Sequence, residues 1–147
     1  MDNYELSNKF ETLPNCNLSI KTKALFKSLR EQPSVNQNNL QTVADAICSD
    51  LNVSKTRIIF GGTQSNTTQN GKLKSKTLGV YYVNNANIRV FEFTAMKGKP
   101  VAPKTVFDTL LHELCHHFDY KILKLQTTIH SAGFYKRIGY LKSELLS

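Results

Sequence analysis

His112-Glu113-Leu114-Cys115-His116 places two imidazoles four residues apart, with a carboxylate beside the first. On a helix of ~3.6 residues per turn, positions i and i+4 lie ~40° apart, so both rings can reach one metal ion. Glu113 lies ~100° round from His112 and stands next to that ion without ligating it. There it can hold a metal-activated water and take its proton, which is the chemistry of metal-assisted hydrolysis.

A catalytic zinc takes three protein ligands and keeps one position open. Three residues compete for the third place. His130 lies beyond a break that lets the chain double back; Asp119 lies one turn after His116; His117 points ~100° away from His116. His130 is the favoured ligand, with one Zn2+ per chain. Asp119, and Asp108 one turn before His112, suit the supporting role in which carboxylates orient ligating histidines. Tyr135 and Arg137, soon after His130, and Tyr120 are candidates to stabilise an oxyanion. Cys115 faces away from the histidines and reads as a buried bystander.

These residues need a scaffold. Phe107, Leu110, Leu111, Leu114 and Phe118 form a stripe opposite His112 and His116, so the helix from Pro103 to about Gln126 buries one face and opens the other onto a cleft. Pro103 suits its first turn. A break at about 126–131 precedes a last helix at 131–146. Upstream, Ser19 can cap a helix at 19–31, and Leu40, Val43, Ala44, Ile47 and Leu51 define another at 39–51. The middle turns to strand chemistry at 57–60, 78–83 and 87–94. Residues 63–77 read as a polar hairpin loop with a tight turn at Asn70-Gly71. The strand at 87–93 could offer an edge to an extended peptide. Residues 1–18 show only weak periodicity and leave room for a loosely ordered N-terminal segment. The expectation is one α+β domain over 1–147: two N-terminal helices, a three-stranded antiparallel sheet, the helix bearing the histidines and a C-terminal helix.

Charge and cysteine usage narrow the setting. The 19 Lys and Arg outnumber 11 Asp and Glu, for a net charge of +8. Residues 51–91 and 120–143 carry basic side chains and no acid. Such stretches suit a polyanion such as DNA, with Lys72, Lys74 and Lys76 as a phosphate-contacting cluster. Three cysteines without a CxxC pair exclude a disulfide scaffold or a four-cysteine zinc ribbon within the chain. No stretch approaches the ~20 apolar residues of a membrane span. A reducing cytoplasm is the expected setting, in association with the nucleoid if DNA is bound.

Thr109 to His116, followed by His130-Ser131-Ala132-Gly133-Phe134, resembles the SprT-like (Spartan-type) metalloproteases. Those proteins pair HExxH with a downstream histidine in the form H-G-x-x-F, where this chain has H-S-A-G-F. Leu78-Gly79-Val80-Tyr81-Tyr82 and Asn87-Ile88-Arg89-Val90 resemble the family's glycine-containing strand and the strand that follows it. The resemblance covers about residues 78–142, and more loosely the helices at 19–51. It implies a minimal zincin fold and a zinc-dependent endopeptidase acting on DNA-associated proteins, with Glu113 as general base. The C-terminal zinc-binding subdomain of many members is expected to be absent. The competing expectations are a zincin protease with a non-DNA substrate, such as a repressor or effector target, and a nucleic-acid-binding module whose metal site is not catalytic.

Overall fold

The computed structural model describes residues 1–147 apart from 64, 70, 71 and 95–97, with the backbone alone for 65–69 and 72–77. The elements in chain order are α1 (Asn3–Lys9), α2 (Ile20–Arg30), α3 (Gln37–Asp50), β1 (Ile58–Phe60), β2 (Ser65–Gln69), β3 (Lys72–Thr77), β4 (Gly79–Tyr82), β5 (Asn87–Val90), α4 (Pro103–Lys121) and α5 (Ala132–Leu146). The chain is therefore α+β, with five helices among the described residues.

Local chemistry sets the helix starts. Ser19 accepts from Thr22 N–H, Ser131 accepts from Phe134 N–H, and Asn36 and Asn39 form a reciprocal capping box. Each such cap contributes ~1 kcal/mol. Helix α4 has no side-chain cap and begins on Pro103, whose missing N–H costs nothing in the first turn. It ends at Lys121, short of the expected Gln126. Leu123 N–H closes on Phe118 O, and Lys124 takes a left-handed conformation (φ 56°) that turns the chain back to bury Leu125.

The sheet departs from the expected antiparallel one. Its order is β1-β5-β4. β4 and β5 are antiparallel across a short turn, but β1 pairs parallel to β5, Ile58 opposite Ile88 and Phe60 opposite Val90. The sheet is mixed because the long excursion between β1 and β4 frees β1 from hairpin geometry. β1 then docks where Ile58, Ile88 and Val90 are buried together on one face. β5 is consequently the central strand and has no free edge; β4 is an edge strand beside α4. Within the expected loop at 63–77, β2 and β3 form an antiparallel pair of their own. Asn70-Gly71 lies outside the described residues.

The N-terminal segment, where the sequence announces no element, holds helix α1. Asp2 caps α1 by accepting from Glu5 N–H, and α1 packs against α5 with Ser7 buried. Seven residues carry too little periodicity to announce a helix; its partners lie at the far end of the chain.

Helix α4 occupies the centre. It packs on β4 and β5, and on α2, α3 and α5. Phe107, Leu110, Leu111, Leu114 and Phe118 are fully buried, with Phe26 edge-on to Phe107 at 5.9 Å. A helix enclosed in this way holds its remaining face at a fixed angle to the surface.

Candidate metal centre

One turn of α4 sets His112 above His116, and the segment between α4 and α5 returns His130 to them. His130 Nε2 lies 3.2 Å from His112 Nε2 and 3.1 Å from His116 Nε2. A ligand atom from each of the three falls within 4.8 Å of the others. For a tetrahedral ion with metal–nitrogen bonds of about 2.0–2.1 Å, ligand nitrogens sit about 3.3 Å apart. The three histidines thus fit the demands of a metal ion and could hold one.

Their protonation suits that role. Burial, then the neighbouring His130, lowers His112 to about 4; burial, then His112 and His130, lowers His116 to about 3. Both rings are neutral at pH 7 and retain a lone pair. The hydrogen-bond network assigns the tautomer of His116. Its Nδ1 lies 2.7 Å from Thr128 Oγ1, and that hydroxyl donates its one proton to Asp119 Oδ2 at 2.8 Å. Nδ1 must therefore carry the hydrogen, which leaves the Nε2 lone pair facing His130. Phe134 stacks on the His116 ring at 4.5 Å and meets His112 edge-on at 5.1 Å.

Glu113 is 5% exposed, and its Oε2 has no partner among the described residues. Burial pushes its carboxyl up to about 7. It borders an open cleft of about 530 Å3, lined among others by Gly79, Thr109, His112, His116 and Tyr135. Gly79 is needed here. A Cβ at that position would lie 2.7 Å from Thr109 Cγ2 and 3.1 Å from Glu113 Cγ, so glycine lets β4 close onto α4.

The other expected site residues fall into distinct places. Asp119 sits behind His116, where Oδ1 accepts from Arg137 Nη2 at 3.0 Å and both side chains are fully buried. Burial pushes the Asp119 carboxyl up, against the Thr128 hydrogen bond and the Arg137 charge. A neutral Asp119 would strand a guanidinium that does not release its proton, so the pair is ionised. Arg137 does not line the cleft: its guanidinium faces Asp119 and the Ser7 and Phe10 carbonyls. Asp108 does line the cleft but pairs with Lys142 and Arg30 instead of a histidine. Tyr135 is half-exposed, with its ring 5.9 Å from that of His130 and 6.2 Å from that of His112. The Tyr120 hydroxyl accepts from Thr128 N–H.

His117 is buried away from the cluster. It donates from Nε2 to Ser54 O and accepts at Nδ1 from the Tyr81 hydroxyl. Cys115 is buried, which raises its thiol. The side chains of Lys72, Lys74 and Lys76 lie outside the described residues. Thr128 was not anticipated. A threonine in a segment without periodicity carries no signal of its own; only its place two residues before His130 hints at it.

Comparison of the chain with protein-family models, with curated proteins and with solved structures finds no match. No helix among the described residues is long and apolar enough to cross a membrane.

Proposed function

We propose that this protein is a zinc-dependent endopeptidase of the SprT-like kind, acting on proteins associated with DNA. The observation that carries this reading is the convergence of His112, His116 and His130 on the wall of an open cleft, beside a Glu113 carboxylate whose Oε2 has no partner among the described residues. A metal held for structure alone has no use for that carboxylate or for solvent access.

Zinc held by the three histidines would supply Lewis acidity, making water a stronger acid and polarising a peptide carbonyl. Glu113 takes a proton from the attacking water and delivers it to the leaving amine. Burial raises that carboxyl in the metal-free chain, and a bound cation beside it would favour the ionised form that accepts the proton. Tyr135 is the cleft residue best placed to donate to the oxyanion. An extended substrate would pair with β4, the edge strand next to Glu113, instead of with the enclosed β5. The net charge of +8 and the two acid-free stretches support DNA as the surface on which substrates are met.

The test is zinc content and proteolysis measured together, with and without DNA, on wild type, Glu113→Gln and His130→Ala. The expected outcome is about one zinc per wild-type chain and cleavage stimulated by DNA. Glu113→Gln should keep its zinc and lose cleavage by at least ~100-fold. His130→Ala should lose most of its zinc. Cleavage surviving in Glu113→Gln would refute Glu113 as the general base, and no cleavage by zinc-loaded wild type would refute the enzyme reading. DNA binding without any cleavage would leave a nucleic-acid-binding module.

A further inference from the structure

We propose that helix α1 is a clamp for the metal centre, so that metal affinity depends on α1 being docked. The inference rests on the metal reading above and extends it to residues that touch neither metal nor substrate. The segment between α4 and α5, which bears Thr128 and His130, has no helix or strand of its own. Its backbone finds partners in α1. Gln126 and Thr127 N–H groups donate to Asn3 Oδ1 at 3.1 and 3.4 Å. Asn3 Nδ2 donates to Thr127 O and Oγ1 at 3.0 and 2.9 Å. The next residue, Thr128, is the partner of His116.

On the far side of His130 the bracing repeats. Ser7 Oγ meets Ser131 Oγ at 2.8 Å, and Gly133 N–H donates to Asn8 Oδ1 at 2.8 Å. The approach is close enough to require glycine: a Cβ on Gly133 would lie 2.5 Å from Ser7 O and 2.8 Å from Asn8 Cα. Arg137 completes the link. It donates to Ser7 O, Phe10 O and Ser7 Oγ, and through Asp119 and Thr128 its charge reaches Nδ1 of His116. His116 is thus oriented from α1 through Arg137, Asp119 and Thr128, and the chain on both sides of His130 is braced by α1.

A helix of seven residues is too short to persist alone, since isolated helices are marginal below ~12–15 residues. Its docking therefore rests on these contacts. Linkage makes the coupling reciprocal: the factor by which docking tightens metal binding is the factor by which metal favours docking.

The test uses zinc itself as the probe. Zinc affinity is measured by competition with a chromophoric chelator on wild type, Asn3→Ala and Asn3→Asp. Amide hydrogen exchange over residues 3–10 is measured on wild type with and without zinc. Asn3 lies in the first turn of α1 and is partly exposed, so alanine suits the helix, and a metal-free melting curve establishes that the variant is folded. Asn3→Ala should bind zinc about 10-fold more weakly. Asn3→Asp, which keeps the acceptor for two N–H groups, should fall between. Zinc should slow exchange in wild-type α1 by a factor of at least that size. Should Asn3→Ala fail to fold, the wild-type exchange result decides. Unchanged affinity in folded Asn3→Ala, or α1 exchange indifferent to zinc, overturns the clamp and leaves the metal centre standing. A wild-type chain that takes up no zinc overturns the metal reading and the clamp with it.

Discussion

At the scale of single residues, Glu113 and the two histidines of α4 pull stability in opposite directions with pH. In the metal-free chain, His112 and His116 titrate at about 4 and 3 when folded, against 6.5 for an unperturbed imidazole. The unfolded chain then binds more protons below ~6.5, so acidification through that window destabilises the fold. Glu113 is the reverse: about 7 folded against 4.5 unperturbed. The folded state holds its proton longer, and ionising it in place costs stability as pH rises from ~4.5 to ~7. Glu113→Gln removes that cost. The metal-free variant should gain over wild type as pH rises from 5 to 8, by on the order of 2 kcal/mol. Thermal melts at the two pH values check it, and an equal difference at both would mean that Glu113 is not desolvated.

The elements meet at close approaches that particular residues permit. Gly79 is one: β4 lies against α4 only because no side chain intervenes between it, Thr109 and Glu113. Gly79→Ala should shift the strand or the glutamate, lower stability by about 1–3 kcal/mol, and reduce cleavage while zinc stays bound. Calorimetry and zinc content separate the two effects. Loss of zinc in step with cleavage would show that the strand supports the whole of α4's face instead of Glu113 alone. The buried Arg137–Asp119 pair is another such joint, tying α5 to α4. Removing one member leaves a buried charge unmatched, the costly way to break such a pair.

The whole molecule adds the field of its net charge of +8. If DNA is the meeting surface, the apparent affinity should fall steeply with salt, because bound cations are released from the phosphates. Fluorescence anisotropy with duplex and single-stranded DNA between 50 and 200 mM salt would read this, with an expected loss of about 10-fold or more. An affinity flat with salt, or no binding at low salt, would count against DNA and favour a protease with another class of target.

Much of the site was legible in the chain because its signals are local. The four-residue spacing of His112 and His116, the apolar stripe opposite them and Pro103 at the start of the helix are decided within one or two helical turns. The α+β composition followed from the same periodicities. What the tertiary structure decided lies between residues far apart in sequence. β1 could be placed parallel or antiparallel by its own residues, and burial of Ile58 beside Ile88 chose parallel. Arg137 read as a candidate beside the oxyanion, and packing turned it inward to Asp119 and α1. Thr128, Asn3 and Ser7 had no periodic pattern to mark them, and their roles exist only once α1 lies against the segment that carries His130. Short-range sterics and hydrophobic period are written residue by residue; the partner of a buried polar group is set by which distant segments the fold brings within hydrogen-bonding reach.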